Sequence, residues 1–360
     1  IDNDIENQQQ FNEQCELYDS EVDLERVQGS IEKENAPLSP YEYQQEAIDA
    51  WVGNDYKGIF ALATGLGKTF TSLFCVKEYA KLYDDKYLCV IVCPSESLIY
   101  QWKSEVEKIL EKTPLVLMDE SNWSVKLKEE IGSLNNDYED NLVCLVTYHT
   151  YFKPNFTSSI EQCDKNKIII CDEVHNSGAK TWRKGLIDDF DARIALSATP
   201  KRHFDEEGSS IIEEYFDGVI IERDLEWGIN NGPKEGETFL SPYYYSAKEI
   251  DLTEEELVDY RKVTQAMVIN YDPNVLIQDD KWMGLANKRA KIIKNAENKL
   301  VELELLLDKL DYSLNGGFIF AGGKKNDNEG TTFFEKVQAI LEKNKMKYSR
   351  FISDDAKEDR

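Results

Sequence analysis

The chain has no run of about 18 apolar residues, so no membrane-spanning helix is expected. Its N-terminus lacks the charged, apolar and small-residue order of a secretory leader. No Cys-x-x-Cys pair occurs among the seven cysteines, and the three histidines, His149, His175 and His203, are scattered. A zinc framework is therefore excluded. Cys89, Cys93, Cys144 and Cys171 lie inside apolar runs and read as buried small hydrophobes of a reducing compartment. With no leader and no span, a cytoplasmic location is expected. Proline is sparse, at 9 in 360 residues, and tyrosine frequent, at 19, which sets the chain apart from low-complexity sequences.

Positive charge is also in short supply. Lys and Arg total 42 against 69 Asp and Glu, for a net charge of −27. Such a balance argues against binding nucleic acid by bulk attraction and leaves room only for a local basic groove. Residues 1–36 hold eleven acidic and two basic side chains, a third of the excess, and read as an acidic arm or linker. The chain begins without Met and stops at Arg360, which reads as a piece of a longer protein.

Where the chain is rich is in alternation. Gly58–Leu62 is a short apolar strand, followed by Ala63-Thr64-Gly65-Leu66-Gly67-Lys68-Thr69 and a helix. Strand, glycine turn and helix N-terminus make an anion site, because backbone N–H groups converge there and the helix dipole favours negative charge. Gly65 and Gly67 allow close approach of phosphate, Lys68 can reach the β- and γ-phosphates, and the Thr69 hydroxyl can ligate Mg²⁺. Leu62 stands where the general phosphate-loop pattern has glycine, and a glycine turn that binds nothing is the competing reading.

Further strands are expected at Tyr87–Cys93, Leu115–Met118, Leu142–Tyr148, Lys167–Glu173 and Arg193–Thr199, with helices from Glu42 and over Ser97–Leu110. Strand–helix alternation predicts a parallel sheet with its ligand at the carboxyl ends of the strands. Beyond Pro200 we expect a polar loop at Asp205–Ser210, short strands at Phe216–Glu222 and Phe239–Tyr245, and a helix over Leu252–Asn270 with a Thr253/Glu256 capping box. One long helix is expected over Lys288–Leu310, its apolar seam stepping by three and four. The basic turn Lys288, Arg289, Lys291 and Lys294 reads either as a solvated face or as a phosphate-contacting patch. Gly316–Ala321 and Lys347–Ser353 read as strands around a helix at Thr331–Asn344.

Asp172-Glu173 closes an apolar strand, so Asp172 can hold Mg²⁺ opposite Thr69 and Glu173 can polarise an attacking water. Gln44 lies ahead of the phosphate loop and can donate to and accept from an adenine edge; a solvated glutamine is the alternative.

Taken together, these motifs resemble superfamily 2 helicases and translocases of the DEAD/DEAH-box type. The likeness is greatest to the branch of type I and type III restriction motor subunits and XPB-like helicases. Tyr43–Ile48 is similar to the Q motif, Ala63–Thr69 to motif I, Cys93–Leu98 with Gln101-Trp102 to motif Ia, and Val146–Tyr148 to motif Ib. Asp172–His175 resembles motif II, Ser197–Arg202 motif III, and Phe318–Ala321 the strand of motif IV.

The resemblance implies a RecA-like α/β P-loop NTPase domain at 37–222, a helical connecting segment at 223–311 and the start of a second RecA-like domain at 312–360. It implies ATP and Mg²⁺ as cofactors, adenine read by Gln44, and His175 linking the ATP site to Ser197 and Thr199, which couple hydrolysis to domain movement. It places a nucleic-acid strand near Pro94, Ser95, Gln101, Thr147 and Tyr148, with DNA favoured over RNA. Motifs V and VI are not in the chain, so the arginine finger of motif VI is missing and weak turnover by this piece alone is expected. A motor in bacterial defence or DNA repair with a nuclease or similar partner is implied; a nucleotide-dependent clamp that does not unwind uses the same motifs.

Overall fold

The computed structural model describes residues 39–118, 122–202, 205–243, 245–272, 280–310, 317–321 and 332–350. The acidic arm, 1–36, lies outside the described residues. The chain divides into two compact units, one ending at Tyr243 and one starting at Tyr244.

The first unit is built on seven strands: β1 (Lys57–Leu62), β2 (Tyr87–Cys93), β3 (Leu115–Leu117), β4 (Asn141–Thr147), β5 (Asn166–Asp172), β6 (Ala192–Leu196) and β7 (Val219–Arg223). Their order across the sheet is β3-β4-β2-β5-β6-β1-β7, and every pairing is parallel. Helices α1 (Glu42–Gly53), α2 (Lys68–Lys81), α3 (Glu96–Leu110), α4 (Trp123–Asn135), α5 (Tyr148–Tyr151), α6 (Pro154–Glu161), α7 (Glu206–Phe216) and α8 (Leu225–Asn230) connect and cover it.

The continuous apolar runs become strands because both faces of the sheet are covered. The period of two sorts their side chains. Cys89, Ile91 and Cys93 point into one core with Trp51, Leu73 and Trp102, while Leu88, Val90 and Val92 point into the other with Leu127, Tyr148 and Phe156. Cys89, Cys93, Cys144 and Cys171 are all buried free thiols, and burial pushes each of them up. Because all strands run the same way, the residues after Leu62, Cys93, Thr147, Asp172 and Leu196 meet at one carboxyl edge. The register fixes this closely: Cys93 pairs with Thr147, Val92 with Cys171, and both Phe60 and Asp172 with Leu196.

Several expectations beyond Pro200 are corrected. Asp205–Ser210 is not a loop. Asp205 caps α7, accepting from Gly208 N at 2.8 Å. Helix-poor Gly208 sits there because its missing side chain lets it approach Gly178, whose carbonyl lies 2.9 Å from where a Cβ would stand. Phe216 ends that helix, and the strand starts three residues later at Val219. Residues 239–243 form no strand. Phe239 N donates to Asn231 O at 2.8 Å and Leu240 N to Gly228 O at 2.9 Å, folding the segment back on α8.

The second unit contains α9 (Glu254–Ile269), α10 (Asp280–Lys294), α11 (Asn298–Lys309) and α12 (Phe333–Lys343). Thr253 and Glu256 form the expected capping box. The expected long helix over Lys288–Leu310 is two helices, broken at 295–297. Glu297 N donates to Glu256 Oε1 at 2.9 Å and the Asn298 side chain to Asp251 O at 2.7 Å, so contacts with the start of α9 pull the turn out of line. In the basic turn of α10, Arg289 lies over the Tyr260 ring at 5.8 Å. Residues 317–321 and 347–350 are not strands, and Phe320 is 96% exposed; Gly316 and 351–353 lie outside the described residues. Leu307, Val337 and Leu341 make a small core between α11 and α12.

Candidate nucleotide site

The phosphate loop leaves β1 and turns through Gly65 and Gly67, both in the left-handed region with φ of +92° and +68°. Gly67 is the residue before α2, so the loop ends on a helix N-terminus with Lys68 as the first helical residue. A side chain at either glycine would be strained by backbone alone. It would also collide: a Cβ on Gly67 would stand 2.6 Å from Gln44 Nε2, and one on Gly65 2.7 Å from Leu240 Cδ2.

Lys68 donates to Leu62 O at 2.9 Å. Its pKa is lowered, first by burial, against which the carboxylates of Glu173 and Asp172 raise it. Thr69 is half-buried at the start of the same helix, and Thr64 is exposed on the loop.

Asp172 ends β5, and its two carboxylate oxygens are both engaged. Oδ2 accepts from Trp102 Nε1 at 3.0 Å and Oδ1 from Glu173 N at 3.0 Å. Glu173 follows in the left-handed region at φ 47°, a rare conformation for a non-glycine residue, and opens a 3₁₀ turn carrying His175. His175 Nδ1 lies 3.4 Å from Glu173 Oε2 and 3.5 Å from Ser197 Oγ. Ser197 is fully buried and its Oγ accepts from Thr199 N at 3.1 Å. Arg202 brackets the turn from outside, donating to His175 O and, through Nε, to Asp205 Oδ2 at 2.7 Å.

Gln44 is buried, which removes the reading of a solvated glutamine. Its Oε1 accepts from Tyr41 N at 3.0 Å, while its Nε2 faces Gly67. Replacing Gln44 with alanine is expected to narrow the preference for ATP over GTP, measured by competition of the two nucleotides for one site; an unchanged preference would remove Gln44 from base recognition.

Pro94 and Ser95 lie at the carboxyl edge, Ser95 capping α3 by accepting from Leu98 N at 3.4 Å, and Gln101 is exposed on that helix. Thr147 and Tyr148 behave differently. Both are buried, and the Tyr148 hydroxyl donates to Asp172 O at 2.8 Å. A ring buried in the core cannot lie along a nucleic-acid strand, so the side chain of Tyr148 is withdrawn from that set.

Periodicity did not reveal the back wall of the loop. Tyr43 donates from its hydroxyl to Leu66 O at 2.7 Å, and burial pushes that phenol up to about 12. Its ring packs edge-on against Trp227 at 5.0 Å and Phe239 at 4.8 Å, which stack on each other. Residues 225–240 thus lie against the phosphate loop, although they were expected in the connecting segment. In the sequence Trp102 stands out only beside Gln101, in the likeness to motif Ia. The signal for its second role was the indole itself, since a buried Trp N–H needs an acceptor.

A parallel sheet with a phosphate loop after β1, an Asp-Glu pair after β5 and a Ser-Ala-Thr stretch after β6 defines a RecA-like P-loop nucleotide-binding domain. Residues 37–202 match the model of the family described as type III restriction enzyme, res subunit. The DNA 3'-5' translocase XPB2 of Sulfurisphaera tokodaii is 29% identical over 164 residues, 45% of this chain. The chain covers 31% of that relative's length. This part of the chain is thus similar to a restriction-subunit family and to a DNA translocase.

Among solved structures, the type ISP restriction-modification enzyme LlaBIII bound to DNA is 19% identical with a TM-score of 0.43, over 54% of this chain and 16% of that one. The Hef helicase domain of Pyrococcus furiosus is 18% identical with a TM-score of 0.40, over 64% and 46%. The SWI2/SNF2 ATPase core of Sulfolobus solfataricus in complex with dsDNA is 15% identical with a TM-score of 0.38, over 77% and 66%. No helix among the described residues is long and apolar enough to cross a membrane.

Proposed function

We propose that this chain works in an ATP-driven motor on nucleic acid, DNA in preference to RNA. The observation that carries the reading is the meeting of Lys68, Thr69, Asp172, Glu173 and Ser197 at one sheet edge, beside the loop Pro94-Ser95. Phosphoryl transfer to water asks for a cradle, a charge-neutralising metal and an oriented water. Gly65, Gly67 and the N-terminus of α2 supply the cradle, with Lys68 as the added positive charge.

No group of three or more His, Cys, Asp or Glu able to hold a metal exists among the described residues. That donor poverty fits Mg²⁺, which binds through one or two protein ligands and otherwise through phosphate oxygens and water. Thr69 and Asp172 are the ligands we assign, and the ion would neutralise charge on the transferred phosphoryl group. Glu173 orients and deprotonates the water, and His175, between Glu173 and Ser197, links that step to the Ser197–Thr199 stretch. Backbone-directed contacts at Pro94 and Ser95 would hold one strand with little dependence on base sequence. The likeness to restriction subunits and to a DNA translocase supports DNA as the track and a defence or repair setting with a nuclease partner.

The test is phosphate release by the chain with single-stranded DNA, duplex DNA or RNA, beside Lys68→Ala. Stimulation by one polymer, lost in the variant, is the expected result. Lys68-dependent release indifferent to all three would replace the motor by a nucleotide-driven clamp for a protein partner.

A further inference from the structure

We propose that Trp102 and Tyr148 are positioning residues that together set the Asp172 carboxylate for its divalent cation; this rests on the metal role given to Asp172 above. An aspartate at a strand end has two free side-chain torsions, and the strand ladder orients neither. Here two buried side chains fix it, one through its carboxylate and the other through its carbonyl. Trp102 Nε1 donates to Oδ2 at 3.0 Å, and the Tyr148 hydroxyl donates to the main-chain oxygen at 2.8 Å. Both donors are 1% exposed, so water does not compete for either bond.

They also come from opposite sides. Trp102 belongs to the core on one face of the sheet and Tyr148 to the core on the other. Residue 172 is therefore gripped from above and below the plane of its strand. Trp102 rides on α3, which follows β2, the neighbour of β5; Tyr148 opens α5, which follows β4, the next strand out.

The chemistry suits a metal ligand that must keep its charge and its free lone pairs. A carboxylate oxygen has two acceptor positions. Oδ2 spends one on the indole and Oδ1 one on Glu173 N, leaving one on each oxygen for the ion or its water. The indole N–H carries no charge, so it orients the carboxylate without competing with a cation, as a lysine or arginine would. Tyr148 acts one step further back. It pins the Asp172 carbonyl immediately before Glu173, which holds a left-handed backbone.

The experiment measures Mn²⁺ binding to the full chain in the presence of ADP, by the electron paramagnetic resonance of free Mn²⁺. ADP binding without metal and thermal melting are measured beside it. The variants are Asp172→Asn, Tyr148→Phe, Trp102→Phe, and a chain carrying benzothienylalanine at position 102, which keeps the ring shape and lacks only the N–H. Loss of an outer-shell partner typically costs 10–100-fold in metal affinity, so the isostere at 102 should weaken Mn²⁺ about tenfold or more. Tyr148→Phe, acting through the main chain, should weaken it by a smaller factor. Metal-free ADP binding should stay as in the wild type for both.

If Asp172→Asn weakens Mn²⁺ but the isostere and Tyr148→Phe bind it like wild type, the proposal is overturned and the assigned function stands. A lowered melting temperature with unchanged Mn²⁺ affinity overturns it equally, since the two side chains would then serve packing alone. If Asp172→Asn itself binds Mn²⁺ like wild type, the metal role of Asp172 fails, and the positioning role fails with it.

Discussion

Lys68→Ala is expected to lower ATP turnover by about 10²–10³-fold or more, the usual cost of removing one preorganised group that meets charge developing in the transition state. The fold should not suffer. Burial of Lys68 lowers its pKa, so the folded protein holds that ammonium less comfortably than the unfolded chain does, despite the nearby carboxylates of Glu173 and Asp172. Its hydrogen bond to Leu62 O ties it to a strand end that β7 already holds through the pairing of Leu62 with Arg223. Steady-state phosphate release and a melting curve on the same preparation separate the two effects. Loss of activity together with a large loss of melting temperature would make Lys68 a structural residue; normal turnover would remove the phosphate-loop assignment.

The second large effect is expected at Glu173. Glu173→Gln keeps the size and the hydrogen-bonding reach of the side chain but not its basicity. A general base contributes about 10²–10⁴-fold, and hydrolysis should fall by that factor while ATP binding persists. Gln is no less able than Glu to take the left-handed backbone at this position, so strain does not confuse the comparison. Nucleotide retention on a filter, followed by single-turnover hydrolysis, checks the prediction. Loss of binding would mean that Glu173 holds the turn around His175 and does no chemistry.

Much of the first unit could be read before any coordinates. Tyr87–Cys93 and Ile168–Cys171 are short, apolar on consecutive residues and rich in Val and Ile, as suits a strand covered on both faces, and they lie in β2 and β5. Thr253 with Glu256 marked the start of α9 because a capping box is local chemistry, complete within four residues. The misses were long-range. Nothing near Asn295 shows that Glu256, 41 residues earlier, takes the N–H of Glu297 and breaks the helix. Phe239 alternates like a strand residue, yet its partners are Tyr43 and Trp227, and those aromatic contacts prevail over its β-propensity.

The same division holds inside the site. Lys68, Thr69, Asp172 and Glu173 stand out in the sequence because a glycine turn before a helix and an acidic pair closing an apolar strand are local patterns, and the parallel sheet brings the four to one edge. Trp102 and Tyr148 stand out only through their likeness to motifs Ia and Ib, because their contacts with Asp172 depend on which strands are neighbours. Sheet order, β4-β2-β5, is a property of the whole topology and is written in no single segment.

The placement of Leu240 against Gly65 has a mechanical consequence. A Cβ on Gly228 would stand 2.5 Å from Leu240 Cδ1, so this one leucine fills the space between α8 and the turn at Gly65. Bulk added at Gly228 would therefore be felt at Gly65 through that side chain, and the segment behind the loop acts as its backstop.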